Sequence, residues 1–256
     1  MEMIQSVKNP KVQLWRSLRD AKGRKQSGSF LVEGVRLVRE ALLSSFPVRE
    51  VLLRDDFQAD PSLIPLLNGN FPVYRLADHV FQSVCDTRTP QGIAAVLGVR
   101  TLPLQGSALI ALDGIQDPGN LGTIIRTADA AGMNGVLLSP ECADLFSPKV
   151  LRAAMGSVFH LGFSFPEHLD QALMALKEKG FSILSSQLDG EPFFNRRNVR
   201  SSFVLVIGNE GNGVSDPVRR IATHRLCLPM AGNAESLNAS VAAGIMMYDL
   251  MKDLPE

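Results

Sequence analysis

The spacing of apolar residues changes repeatedly along the chain, and each change marks an element. Asn9-Pro10 offers a cap followed by a proline in the first turn, and Val12, Trp15 and Leu18 recur at helical spacing. Phe30-Leu31-Val32 is a short apolar run of the kind a strand makes. From Val35 to Leu43 the pattern turns helical, with Val35, Leu37, Val38, Ala41 and Leu42 on the apolar side. Val51-Leu52-Leu53, Val73-Tyr74 and the run Ile93–Leu97 predict further strands, with helical stretches near 61–67 and 77–84. Strands alternating with helices predict a mainly parallel or mixed sheet.

Residues 101–107, Thr-Leu-Pro-Leu-Gln-Gly-Ser, form a short polar stretch with Pro and Gly, as an interdomain linker would. The chain therefore divides into a small α/β domain over 1–100 and a second domain over 108–256. In the second, strands are expected at Ala108–Leu112, Gly135–Leu138, Phe181–Ser185, Phe203–Ile207 and Arg225–Leu228. Helices are expected at Leu121–Ala131, Pro148–Met155, Asp170–Lys179, Pro217–Ala222 and Leu237–Lys252. Short apolar strands with little polar alternation belong to a parallel sheet covered by helices on both faces.

Composition narrows the class. Hydrophobic residues make up 45% of 256, enough for a packed core. No apolar run reaches the ~18 residues of a membrane span, and the first residues lack the basic-then-apolar pattern of a signal peptide. Cys85, Cys142 and Cys227 are scattered, and the four histidines show no ligand spacing, so a reduced, metal-free, cytoplasmic protein is expected. Net charge is zero but uneven. Residues 1–100 hold 14 Lys+Arg against 10 Asp+Glu, and residues 1–25 hold 7 against 2. A basic N-terminal arm including Lys8, Lys11, Arg16, Arg24 and Lys25 suits RNA phosphates, although a solvated helix face would have the same composition.

Ligands of open α/β sheets sit beyond the carboxyl ends of strands, so the loops there are the candidates. After Leu112 comes a turn-rich loop with Asn120 near a helix start and Arg126 six residues on, among Ile124, Ile125 and Ala128. An arginine in that setting is expected to be partly buried and paired, with a phosphate or with an acid such as Asp129. After Ile207 comes Gly208-Asn209-Glu210-Gly211-Asn212-Gly213, which is neither G-x-G-x-x-G nor a P-loop, so a dinucleotide or triphosphate site is disfavoured. Glu210 would repel phosphate but could accept hydrogen bonds. After Leu228 comes Pro229-Met230, then Ser236-Leu237-Asn238-Ala239-Ser240, with Ser236 a candidate cap and Asn238 in the first helical turn. Taken singly, a paired arginine, a glycine turn and a helix cap would explain the three loops.

As a set, in this order and after strands, the loops resemble the three motifs of the SpoU (TrmH) family of RNA methyltransferases, in the SPOUT superfamily. Asn120 through Arg126 resembles the first motif, Ile207-Gly208-Asn209-Glu210-Gly211 the second, and Leu228-Pro229-Met230 with Ser236–Ser240 the third. The likeness spans about 108–252, and Ala239, where valine is commoner, is a small departure. Phe30-Leu31-Val32-Glu33-Gly34 with Arg36-Leu37-Val38 is similar to the ribosomal-protein-like substrate domain that many members carry.

The resemblance implies a trefoil knot in the C-terminal part, a homodimer with active sites near the subunit interface, and S-adenosylmethionine as methyl donor. It implies cofactor contacts from Gly208, Asn209, Gly211, Leu228, Met230, Ser236, Leu237 and Asn238. It also implies methyl transfer to a ribose 2′-hydroxyl of RNA, and an N-terminal domain with a basic arm points to structured RNA, ribosomal RNA ahead of transfer RNA. Arg126 would be the central residue, holding the target phosphate and hydroxyl, with Asn120, Glu210, Ser236 and Asn238 orienting it, the ribose or the cofactor. A base methyltransferase of the same superfamily and a silent RNA-binding module are the rival readings.

Overall fold

The structure, a computed structural model, describes residues 3–252. The chain folds into two compact units, one of residues 1–100 with Asp144–Phe159, the other of 101–143 with 160–256.

The first unit is a five-stranded mixed sheet. Its strands are β1 (Met3–Ile4), β2 (Ser29–Glu33), β3 (Val48–Arg54), β4 (Val73–Leu76) and β5 (Ile93–Gly98), in the order β1-β4-β3-β5-β2. β4 runs parallel to β1 and β3, and β5 runs antiparallel to β2 and β3. The helix Pro10–Ser17 begins where expected, with the Asn9 side chain accepting from the Lys11 amide, and buries Val12 and Trp15. These pack with Leu31, Leu52, Leu76, Val80, Phe81 and Val84 into one core.

Two features here correct the sequence reading. The basic stretch is no free arm: Ala21–Ser27 is a second helix, closed by Gly28 at φ 58°. It has no apolar periodicity and contains Gly23, whose absent Cβ would lie 2.0 Å from Ser17 O, so nothing in the pattern announces a helix. Arg24 is only 6% exposed, and its guanidinium donates to Asp144 Oδ2 from Nε (2.9 Å) and Nη2 (2.6 Å) and to the carbonyls of Leu18 and Arg19 (both 2.8 Å). Its guanidinium is thus engaged within its own unit rather than held out on a free arm. Lys11 is tied as well, to Glu50 at 3.2 Å and over the Tyr74 ring at 4.7 Å, and the bond to Tyr74 leads the causes that raise its pKa. Lys8, Arg16 and Lys25 remain exposed.

The returning segment Asp144–Phe159 completes this unit. It carries the helix Pro148–Ala154, ending on Met155 at φ 54°. Phe146 lies on Phe30 with ring centroids 4.6 Å apart, Phe159 meets Phe46 edge-on at 5.1 Å, and Arg152 pairs with Asp86 at 2.8 Å.

The second unit is an all-parallel six-stranded sheet: β6 (Ala108–Asp113), β7 (Gly135–Leu138), β8 (Gly162–Ser164), β9 (Ser182–Pro192), β10 (Phe203–Gly208) and β11 (His224–Cys227). The order is β11-β9-β10-β6-β7-β8. Every residue of β6 is buried, so both faces of this strand are covered. One face packs Leu109, Ala111, Ile183, Val204 and Val206 against the helices Leu169–Glu178 and Asp216–Ile221. The helices Pro118–Ala130 and Ala239–Met251 pack on each other, and the latter also meets β10. Leu102 bridges to Gly162, which docks the stretch read as a linker onto this unit.

The direction of winding reverses between β6 and β10. From β6 the chain steps outward to β7 and β8, then crosses to the other side of β6, where β9, β10 and β11 follow in the chain and β10 takes the place next to β6. The loops beyond β6 and β10 therefore meet at a switch point, where parallel sheets hold ligands. β9 runs seven residues beyond the expected Ser185. Its register against β11 shifts between Arg225 and Leu226, where Gly190 approaches so closely that a Cβ would lie 2.6 Å from Arg225. This irregularity throws residues 186–189 out of the ladder beside the same loops, as bulges near sites do.

Candidate active site

Asp113, at the end of β6, is 8% exposed, and its Oδ2 accepts from the Ser215 amide at 2.8 Å, which ties the β6 and β10 loops together. Asn209 does the same in reverse. Its Nδ2 donates to Gly114 O at 2.9 Å, while its Oδ1 accepts from the amides of Gly211 (2.8 Å) and Asn212 (3.1 Å). Asn209 and Gly213 exchange backbone bonds of 3.0 and 2.8 Å, which makes Asn209–Gly213 a tight turn. Glycine is required at 208, since a Cβ there would lie 2.2 Å from Gly213 C and from Val214 N.

Three loops then join through side chains. Asn120 lies in the first turn of the helix Pro118–Ala130, which Asp117 caps by accepting from the Asn120 amide at 2.8 Å. Asn120 Nδ2 donates to Glu210 Oε1 at 2.5 Å, and Asn238 Nδ2 donates to Asn120 Oδ1 at 3.1 Å. Asn238 Oδ1 in turn accepts from the Ser240 amide at 2.9 Å and its hydroxyl at 2.7 Å. Glu210, Asn120 and Asn238 therefore form one row from three loops, and each amide's orientation is fixed by its neighbour.

The row borders a cleft of about 370 Å3, lined by the predicted Gly208, Asn209, Glu210, Gly211, Leu228, Met230, Ser236 and Leu237. The volume falls in the ~300–1,000 Å3 range of small-molecule sites. Ile207, Leu228, Met230 and Leu237 give it apolar walls suited to a flat aromatic group. From Pro229 to Leu237 the backbone forms no hydrogen bond with other backbone among the described residues, so its polar groups are open to a ligand. Gln187, on the irregular part of β9, also lines the cleft. Its Nε2 donates to Ser185 Oγ at 2.8 Å, but Oε1 is buried with no partner among the described residues. A buried acceptor without a donor is costly unless a ligand supplies one. The cleft thus fits a molecule with an aromatic ring and several donors, as a methyl donor bearing adenine and amino groups has.

Three expectations change here. Asn238, not Ser236, caps the last helix, which spans Ala239–Met251, so its position needs no special explanation beyond the cap and the row. Ser236 lines the cleft but is exposed and hydrogen-bonds to no described residue. Arg126 is neither partly buried nor paired. It is exposed between the exposed Thr123 and Ala130 while Ile124, Ile125 and Ala128 point inward, and it has no ion pair or hydrogen bond among the described residues. It does not line the cleft. Gln187 and Asp189, which do, were missed because the predicted strand stopped at Ser185, and Arg219, on the helix Asp216–Ile221, was missed because nothing in its stretch marks it out. Among the described residues no cluster of His, Cys, Asp and Glu could hold a metal ion, and no helix is long and apolar enough to cross a membrane.

Comparison with known proteins decides the family. Residues 107–248 match the model of the SpoU rRNA Methylase family, and residues 9–95 match an MRM3-like substrate binding domain. The chain belongs to the SpoU rRNA methylase family. One relative, the 23S rRNA (guanosine(2553)-2′-O)-methyltransferase RlmP of Bacillus subtilis, is 39% identical over 254 residues, 98% of this chain and 99% of its own length. An AdoMet-bound rRNA methyltransferase from Sinorhizobium meliloti superposes with a TM-score of 0.89 at 30% identity, covering 100% of this chain and 99% of that one. The SpoU methyltransferase AviRb from Streptomyces viridochromogenes, in complex with AdoMet, gives 0.85 at 27% identity, covering 96% and 98%. Within this family the methyl donor is S-adenosylmethionine.

Proposed function

We propose that the protein transfers a methyl group to a ribose 2′-hydroxyl of ribosomal RNA, as a dimer of identical chains. The observation that carries this is the Glu210–Asn120–Asn238 row at the edge of the cleft, with Arg126, unpartnered among the described residues, on the same helix as Asn120. Ile207, Leu228, Met230 and Leu237 hold the adenine of S-adenosylmethionine, and Gln187 Oε1 accepts from one of its donors. When bound, the cofactor supplies an electrophilic methyl group on a sulfonium. Glu210, held by Asn120, would supply a carboxylate to balance such a positive charge. Asn120 is held in turn by Asn238, so the two amides preorganise the site. Arg126 binds the RNA phosphate next to the target ribose and aligns the hydroxyl for in-line attack. Arg126 positions rather than abstracts, so as the methyl carbon leaves sulfur for the ribose oxygen the hydroxyl proton passes to solvent water.

The dimer rests on the last helix, which is apolar nearly all round. Val241, Ile245 and Tyr248, at spacings of four and three, form an outer stripe 50%, 39% and 55% exposed. A helix apolar on every side is normally buried. Its inner neighbour is the Arg126 helix, so pairing through this stripe brings Arg126 of one protomer toward a partner and explains why it is unpaired within one chain. Sedimentation velocity at micromolar concentration checks the pairing, and a monomer would overturn it.

The test of the chemistry uses ribosomal RNA transcribed in vitro and radiolabelled cofactor, followed by alkaline digestion. Ribose methylation leaves an uncleaved dinucleotide, whereas label on a mononucleotide identifies base methylation and refutes the proposal. Arg126→Ala should lower turnover at least 100-fold while cofactor affinity stays within threefold; normal turnover would refute the role given to Arg126.

A further inference from the structure

The first unit carries a cavity of its own, about 340 Å3, apart from the three loops of the candidate active site and lined in part by the Glu33-Gly34 and Arg36-Leu37 stretch that resembles the substrate domain. Its lining joins three stretches that are distant in sequence: Glu33–Leu37, Thr87–Gln91, and Arg152 with Met155 from the returning segment. All of it belongs to the unit formed by 1–100 and 144–159.

The lining is built around fixed polar groups. Glu33 accepts from the amides of Asp86 (2.6 Å) and Thr87 (3.3 Å) and from the Thr87 hydroxyl (2.8 Å), which pins the loop after the helix Asp78–Val84. Gln91 Oε1 accepts from the Val35 amide at 2.9 Å and so caps the helix Val35–Leu43. Gly34, at φ 91°, lets the chain pass beneath Gln91, where a Cβ would lie 2.9 Å from Oε1. Both carboxylates at the rim are engaged, Glu33 by that loop and Asp86 by Arg152. Arg36 has no partner among the described residues and is exposed, as is Arg88 in the same loop. The acids are thus answered internally while cations stay available. Beneath them lie Leu37 and the thioether of Met155, a residue held in the left-handed region that side-chain-bearing residues avoid. Strain of this kind persists where the surroundings impose it, often at ligand sites.

A pocket with apolar Leu37 and Met155, fixed hydroxyl and amide groups and one guanidinium, that of Arg36, unpaired among the described residues matches one chemical class. RNA presents it as an unpaired nucleotide, whose base stacks on an arginine plane or an adaptable apolar surface while its phosphate meets a cation. We propose that this cavity receives one unpaired nucleotide of the substrate RNA, with Arg36 on its phosphate, and that Arg152 and Met155 make the returning segment part of the RNA-reading surface. The cavity rests on the reading of the protein as an RNA methyltransferase and adds to it a site for capturing the substrate.

The experiment uses the full chain, two variants and the same transcribed ribosomal RNA. Thr89→Trp fills the cavity without altering charge, and Arg36→Gln removes one cation without altering shape. Filter binding should show each variant weakening RNA affinity about tenfold, with KM rising in step, kcat unchanged and S-adenosylmethionine affinity unchanged. RNA carrying 4-thiouridine should crosslink on irradiation to the peptides bearing Arg36 or Met155 in the wild-type protein and not in Thr89→Trp. If Arg36→Gln alone weakens binding, the surface is merely electrostatic and the pocket is refuted. If both variants bind RNA within twofold of wild type and the crosslinks fall elsewhere, the proposal also fails. Absence of methyl transfer by the wild-type protein would instead overturn the proposed function, and the two failures are therefore distinct. The melting temperature of each variant, read by circular dichroism, separates loss of binding from loss of fold.

Discussion

Adding one methyl group at residue 208 tests the cleft most sharply. In Gly208→Ala the new Cβ would stand 2.2 Å from Gly213 C and Val214 N and 2.3 Å from Gly213 O, all backbone. Carbon contacts are comfortable at about 3.5–4.0 Å, so the turn must retreat by more than 1 Å. The retreat breaks the paired bonds between Asn209 and Gly213, 3.0 and 2.8 Å, each worth about 1 kcal/mol. Crowding in a packed region adds about 1–3 kcal/mol. The turn's closed form therefore loses roughly 3–5 kcal/mol, which is about 150- to 4,000-fold in population. Because this turn lines the cleft, titration calorimetry with S-adenosylmethionine should show affinity falling at least tenfold. Its neighbours provide the control. A Cβ at Gly211 would meet only Asn209 Oδ1 at 3.4 Å, and one at Gly213 would meet nothing but would be held at φ 67°. Gly211→Ala should bind nearly as wild type, and Gly213→Ala should lose about fivefold from a strain of about 1 kcal/mol. An affinity for Gly208→Ala within threefold of wild type, or a reversed order among the three, would refute the account of the turn.

Other predictions follow from the same contacts. Asp144→Asn leaves the buried Arg24 without its carboxylate; since Asp144 is 39% exposed, the loss should be about 2–3 kcal/mol, below the ~3–5 of a fully buried pair, and the fluorescence melt of Trp15, the sole tryptophan, should drop by several degrees. Asn120→Ala frees Glu210 and Asn238 on an exposed edge, so kcat should fall at least tenfold in the methyl-transfer assay while the melting temperature moves by less than 2 °C. Burial pushes the thiols of Cys85 and Cys142 up, so iodoacetamide at pH 8 should label Cys227 first in the folded protein, as peptide mapping would show.

Strands buried on both faces were the easiest elements to read. β5, β6 and β10 are continuous apolar runs because every position is covered, and their predicted bounds agree with the structure to within one residue. The second half of β9 was illegible for the opposite reason: Gln187-Leu188-Asp189-Gly190 alternates with nothing, and a break in register carries it beside the cleft. Arg126 and Arg24 show how little an arginine's neighbours reveal. Arg126, amid apolar residues, stands on the outer face of its helix, while Arg24, in a basic polar stretch, is buried on a carboxylate 120 residues away. The order of Asn120, Glu210 and Asn238 was visible in the sequence. That they bond to one another was not, because it depends on the strand order that joins β6 to β10.

The returning segment has a consequence for synthesis. The first unit lacks its last piece until Phe159 has been made, 59 residues after Arg100. At roughly 5–20 residues per second this is an interval of about 3–12 s. Throughout it the nascent chain holds Phe30 and Phe46 without Phe146 and Phe159, and Arg24 without Asp144. Its amino-terminal half therefore cannot finish folding as it emerges, and must wait, with apolar surface open to chaperones, for a strip encoded well inside the methyltransferase half.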